Sequence, residues 1–339
     1  MAGCHPEINL GANRPMGAAM KSWLAWFPAL LLVAACSSGP PVEQLQSFSD
    51  AYRTANDAGQ PLLDNLAIAE KSEGQINAAN QAGRPTRSGN VPDEAADAAC
   101  PRSDQRWQEV GSGTGFIRGY CISDAAYFAS LGEPPATQAF RGGLAVLGKY
   151  VDVLIFLAEG RNLEELHAQL DSLSSTIGQV LAFLPGGGAA AGPAIGGALG
   201  ALKPLIDAAA QQGNDQEIKR LVIAGAPHAR QLIDRLRDAA PLMFNVLTAS
   251  AARAAVSPAA LDNPATAQSD IARIEAYRVT VSNFVVLLNG LQTALDKLVE
   301  AVQNPDQAAS VASLAEESAN LRIYADAVRK AIAALSQGG

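Results

Sequence analysis

The sequence predicts an all-α protein, an elongated antiparallel bundle of about five long helices carrying one irregular, disulfide-stapled insertion. Two observations predict the helices. Apolar side chains recur in steps of three and four along most of the chain after residue 42, and a seven-residue repeat runs through its C-terminal third. A third excludes the competing fold, because no stretch alternates with the period of two that a half-buried strand needs.

The first bundle helix is expected over residues 42–72. Leu45, Phe48, Tyr52, Ala55, Gly59, Leu62 and Leu66 build one face, and Pro61 should kink this helix rather than end it, because the pattern continues in phase. Residues 73–134 lose the period and read as the irregular insertion. The main bundle, 135–336, begins where Phe140, Leu144, Leu147, Val151, Leu154 and Ala158 restore it. After Gly160, Asn162 caps a further helix with Glu165 three residues on, and Leu163, Leu166, Leu170, Leu173, Ile177, Val180 and Leu184 continue the spacing. The short link between these two helices predicts an antiparallel hairpin. Residues 214–256 read as another helix, interrupted by Pro227 and Pro241.

The clearest period follows. Ile274, Val281, Leu288, Leu295 and Val302 repeat every seven residues, interleaved with Tyr277, Phe284, Leu291 and Leu298. This is a heptad seam on a helix from about 266 to 303, roughly 57 Å long at 1.5 Å per residue. Asn304-Pro305 stops it, and Val311, Leu314, Leu321, Val328, Ile332 and Leu335 stripe the last helix.

The N-terminal region has a different character. Lys21 precedes an apolar run, Leu24 to Ala35 (LAWFPALLLVAA), which has the length of a signal-peptide core and is too short to span a bilayer. Leu32-Val33-Ala34-Ala35 then leads directly into Cys36, and Ser37-Ser38-Gly39-Pro40-Pro41 follows as a tether over 36–41. These residues resemble the lipobox of bacterial lipoproteins, although Val33 stands where that family usually has Leu. The resemblance implies a signal peptide over 1–35, cleavage before Cys36, and acylation of that cysteine by palmitate-type chains. Two or three chains give stable anchoring where one is marginal. An ordinary secretory signal and a buried N-terminal helix are the alternatives; the abrupt polar tether after Cys36 speaks against both. Residues before Lys21 fit no signal, so Met16 or Met20 is expected as the start. Ser37, where inner-membrane lipoproteins tend to carry Asp, implies the outer membrane, facing the periplasm or the surface.

The formal charge is −8, and without Arg14, Lys21 and Glu7 of the leader it becomes −9. With no basic cluster, nucleic acid is not an expected partner. Export also suits the cysteines. Apart from Cys4 and Cys36, only Cys100 and Cys121 remain, and a disulfide closing that loop of about 20 residues contributes roughly 3 kcal/mol. Trp107 lies between them in sequence and is expected to pack on the bridge. A two-cysteine metal site is the alternative, but no His lies nearby.

Few groups suggest chemistry. Glu164 and His167 have the E-x-x-H spacing of di-iron bundles, but His228 lacks the matching Glu, so a solvated helix face is the reading. Gly111-Ser112-Gly113-Thr114-Gly115 lacks the Lys of a phosphate loop and reads as a turn. No G-x-S-x-G elbow occurs. No metal and no cofactor is expected.

One segment is unusual. Within residues 180–206, Val180 to Leu202 (VLAFLPGGGAAAGPAIGGALGAL) carries no charge. Gly188, Gly192, Gly196 and Gly200 recur every four residues, a pattern that lets helices approach closely, while Pro185 and Pro193 interrupt any single helix. Three readings stand: a turn plus a helix buried in the bundle, a membrane-touching hairpin, or a partner-binding patch. Long helices flanking this segment, with AAAGPAIGG at its centre, resemble the cytolysin A type of α-helical pore-forming toxins, which implies insertion into a bilayer. The expected function is therefore a non-enzymatic envelope lipoprotein that binds a protein partner or itself, with a membrane-active protein as the alternative.

Overall fold

The computed structural model describes residues 42–82, 108–109, 116–117, 124–159, 215–305 and 307–337. The chain divides into two units, Met1–Gly39 and Pro40–Gly339, and every described residue belongs to the second. Its described residues are all-α apart from one minimal strand pair. Helix α1 (Val42–Ala82) is followed by β1 (Gln108–Glu109), β2 (Phe116–Ile117), α2 (Ala125–Phe128) and α3 (Pro135–Ala158). Then come α4 (Asp215–Asp238), α5 (Ala240–Ala255), α6 (Pro258–Asp262), α7 (Pro264–Gln303) and α8 (Ala308–Gln337).

Helix α1 packs against α3, α5, α7 and α8. The expected stripe is buried throughout, from Leu45 and Phe48 through Tyr52, Ala55 and Gly59 to Leu62 and Leu66. Ala51, Ala58 and Leu63 are buried as well, so the helix presents more than one face to its neighbours. Each fully buried leucine contributes ~1.5–3 kcal/mol through the apolar surface it removes from water. Pro61 lies inside the helix on an exposed position, where the missing N–H costs one hydrogen bond.

Two boundaries differ from the sequence expectation. Helix α1 continues to Ala82 instead of ending at 72, because tertiary partners hold its last turns. Glu73 pairs with Arg253 of α5, and the Gln75 side chain donates to the Tyr127 carbonyl at 3.0 Å. The helix accordingly runs ten residues past the point where the period is lost. Nor is the expected insertion free of strands, since Gln108 pairs with Ile117 and Glu109 with Phe116 in an antiparallel ladder too short to leave a periodic signal.

Helix α3 opens on Pro135 after Pro134, with a fixed φ suited to a first turn. Its face of Phe140, Leu144, Leu147, Val151, Leu154 and Ala158 is buried. Pairings along α1 and α3 run in opposite directions: Arg53 meets Asp152, Asp64 meets Arg141, and Glu70 reaches Ala136. Helix α4 crosses α3 likewise, with Gly225 beside Tyr150 and Leu236 beside Gly143. Pro227 does not interrupt α4; it sits inside the helix on an exposed position, as Pro61 does in α1. The break falls at Ala239, just before Pro241. There Ala239 N–H still bonds Arg235 and Met243 N–H bonds Ala239, so α5 follows α4 after a single non-helical residue.

Ser257-Pro258 and Asn263-Pro264 start α6 and α7. In α7 the seam residues Tyr277, Val281, Phe284, Leu288, Leu291, Leu295, Leu298 and Val302 are buried, and Ile274 is half-buried. Leu287, Ala294 and Ala301 are also buried, because α7 packs on α1, α4, α5 and α8 instead of one coiled-coil partner. Its pairings with α4 are antiparallel: Lys219 donates to the Gln303 carbonyl at 2.9 Å, Arg230 meets Asp296, and Gln292 donates to Asp234 at 3.3 Å. Asn304-Pro305 ends α7 as expected. Helix α8 returns antiparallel along it, with Asn283 donating to the Ala327 carbonyl and Gly290 against Leu321 and Tyr324. Leu314, Leu321 and Val328 are buried, and between them the small residues Ser318 and Ala325 allow close approach.

One close approach is decisive for the core. Tyr150 is fully buried and extends across α4, where a Cβ on Gly225 would stand 2.5 Å from its hydroxyl. Only glycine leaves that room. Gly225→Ala should therefore destabilise the protein by about 1–3 kcal/mol through overpacking. Urea denaturation followed by circular dichroism checks this, and an unchanged midpoint would mean that the tyrosine moves aside freely.

Candidate functional site

The site residues expected from sequence do not meet among the described residues. Cys36, Cys100 and Cys121 lie outside them, as do Gly188, Gly192, Gly196 and Gly200 with the whole of 160–214, including Glu164 and His167. Cys4, Trp107 and the run 111–115 also lie outside them. His228 is half-buried on α4, next to Pro227. Among the described residues, no group of three or more His, Cys, Asp or Glu side chains is placed to hold a metal ion. No helix among them is long and apolar enough to cross a membrane.

What the fold does assemble is a set of polar junctions. The most buried joins α1 to the start of α3. Pro134 has no side chain able to cap that helix, and Glu70 supplies the cap from α1. Its Oε1 accepts from the Ala136 N–H at 2.8 Å, and its Oε2 accepts from the Thr137 N–H at 2.9 Å and the Thr137 hydroxyl at 3.0 Å. Thr137 is fully buried and Glu70 nearly so. A carboxylate at a helix N-terminus also meets the positive end of the helix dipole. Nearby, Arg141 gathers three elements by donating to Gln60 at 2.9 Å, pairing with Asp64, and pairing with Glu133 at 2.8 Å. Lys71 adds a bond to the Ala129 carbonyl at 3.0 Å. The end of α1, the α2–α3 connection and the start of α3 are thus fixed by polar contacts.

The buried phenols are structural. Tyr52 donates to the Leu144 carbonyl, and Tyr150 donates to the Val222 carbonyl at 3.4 Å. Burial pushes both hydroxyls far above their ordinary pKa. They remain neutral at physiological pH and are unsuited to proton transfer there. Burial raises Tyr127 too, with the Glu70 charge adding to it.

A different environment lies where α1, α7 and α8 meet. A cleft of about 500 Å³ is lined by Asn65 of α1, by Ser269, Arg273 and Tyr277 of α7, and by Leu335 and Ser336 of α8. Its volume falls within the range of small-molecule sites. Among the described residues that line it, none is a carboxylate. Sequence reasoning missed this place because its residues are far apart in the chain and none belongs to a motif; Tyr277 had registered only as a seam position. No protein-family model, curated protein or solved structure matches this chain. The cleft and the junctions are therefore read on their own chemistry: the junctions hold the fold, and the cleft has free donors and space.

The Glu70 junction gives a direct test. Glu70→Ala leaves two N–H groups of α3 without their acceptor, one of them in a fully buried residue, and should cost about 1–3 kcal/mol. Glu70→Gln retains an acceptor and should cost less. Thermal melts of the two variants check the order, and equal losses would assign the effect to packing alone.

Proposed function

We propose that this chain is a non-enzymatic cell-envelope lipoprotein, anchored by acyl chains on Cys36, whose helices form one antiparallel bundle that binds another envelope protein or a second copy of itself. One observation carries the reading: the charged start at Lys21, the apolar run Leu24–Ala35 and the small residues leading into Cys36 follow one another in the order lipid attachment requires. The opposed pairings of α1 with α3, α3 with α4, α4 with α7, and α7 with α8 support the bundle. The polar, proline-ended tether over 36–41 suits a domain held clear of a bilayer. Ser37 in place of Asp favours the outer membrane. Cys100 and Cys121 are proposed as a disulfide, consistent with an oxidising compartment.

A second reading rests on the uncharged segment Val180–Leu202, whose length reaches the threshold for spanning a bilayer. In that case the protein is membrane-active, in the manner of α-helical pore-forming toxins. Liposome leakage separates the two, because a scaffold lipoprotein leaves vesicles intact and an inserting one empties them.

Metabolic labelling with an alkyne-tagged palmitate in a Gram-negative host tests the anchor. The wild-type chain should take up label and float with outer-membrane vesicles on a sucrose gradient. Cys36→Ser should lose both while keeping its helical circular dichroism spectrum. A wild-type chain that stays unlabelled and soluble overturns the proposal.

A further inference from the structure

The cleft between α1, α7 and α8 collects hydrogen-bond donors that have no acceptor among the described residues. Ser269, Arg273 and Tyr277 stand four residues apart on α7, so they share one face of the helix. Asn65 comes to the same cleft from α1. Among the described residues, none of these four side chains makes a hydrogen bond or ion pair. Several other arginines of the fold are closely partnered. Arg141 has Asp64 and Glu133, Arg230 has Asp296, and Arg253 grips Glu73 through both terminal nitrogens. Arg278, just past the cleft on α7, pairs with Glu275 at 3.0 Å and lies 4.8 Å from the Phe244 ring centre.

Arg273 thus presents a cationic, planar fork of donors at a cavity whose described lining includes no carboxylate. A guanidinium in that position matches a carboxylate or phosphate group, which it binds through two parallel hydrogen bonds. Tyr277 is almost fully buried as a residue, and it lines the cleft. The amide of Asn65 and the hydroxyl of Ser269 add further donors. Ala276 and Leu335 complete the lining with apolar surface. The pairing of a cationic fork with an apolar wall distinguishes this cleft from a bare surface charge.

We propose that the cleft binds a small oxyanion carried on a short apolar body, with Arg273 holding the anion, Tyr277 and Asn65 fixing its orientation, and Leu335 covering the apolar part. This inference is independent of the lipid anchor on Cys36 and stands or falls separately from it. Because Arg273 is solvent-exposed, its charge is already well hydrated, so affinity is expected to be modest and strongly dependent on salt.

Titration of the full chain with octanoate and with octyl phosphate, followed by calorimetry and by NMR shifts, tests it. At least one anion should bind saturably and shift the resonances of residues 65, 269–277 and 334–336. The tighter of the two identifies the source as a carboxylate or a phosphate monoester. Octanol and octylamine should bind at least tenfold more weakly. Arg273→Gln should weaken the anion about tenfold with an unchanged melting temperature, Arg273→Lys by less, and Arg322→Gln not at all. Octanol binding as tightly as octanoate, Arg273→Gln binding like the wild type, or saturation by neither anion would each overturn the proposal.

Discussion

The constraint on which the rest of the described structure depends is the burial of α1 on several sides at once. A helix that packs on one neighbour needs a single apolar stripe. This one meets α3, α5, α7 and α8, and its buried set includes Ala51, Ala58 and Leu63 as well as the main stripe. The small residues among them set how closely the neighbours approach. At Gly59, for example, an added Cβ would lie 3.0 Å from the Phe284 ring of α7. Because α1 comes first among these helices, α3, α5, α7 and α8 are arranged on a surface contributed by the N-terminal part of the unit. The two internal prolines, Pro61 and Pro227, are tolerated since both sit on exposed positions, where bending toward solvent disturbs no packing.

Polar groups then fix the register that apolar packing leaves loose. Two helices sliding by one turn still bury apolar faces, but Glu70 accepts from Ala136 and Thr137 at only one alignment. Arg141 bridging to Gln60 and Asp64 repeats the same alignment two turns away on α1. The series Lys219–Gln303, Arg230–Asp296 and Asp234–Gln292 does so between α4 and α7. Most of these pairs are partly exposed and individually worth little. The Glu70 cap differs because its Thr137 donors are buried and have no water to replace the lost acceptor.

The cleft is a consequence of the same arrangement. Helix α1 lies parallel to α8, as Ser47 meeting Ser318 and Asn65 sharing the cleft with Leu335 show, and antiparallel to α7, with Gly59 against Phe284 and Asn65 beside Tyr277. The early turns of α7 extend past the fully packed core, since Ile271 is half exposed and burial of the seam begins at Tyr277. Between those turns, the end of α8 and the middle of α1, side chains shorten to serine and alanine and space opens. Its polar character follows from Arg273, which has no carboxylate across from it among the described residues.

The periods of three, four and seven residues determined by themselves that the chain is helical, where most helices run and which side chains they bury. These are local properties, written in spacing along one element, and the buried faces of α1, α3, α7 and α8 match them. The order Lys21, apolar run, small residues and Cys36 is likewise local, and the anchor proposed on Cys36 rests on it without any fold. Tertiary structure decided the rest. It extended α1 to Ala82 through Arg253 and Tyr127, carried α4 through Pro227, and widened the α7 seam by giving that helix four neighbours. It also set Glu70 on α3 and brought Asn65, Arg273 and Leu335 around one space. Such pairings depend on which helices lie side by side, and the repeat along each helix is the same whichever neighbour it meets.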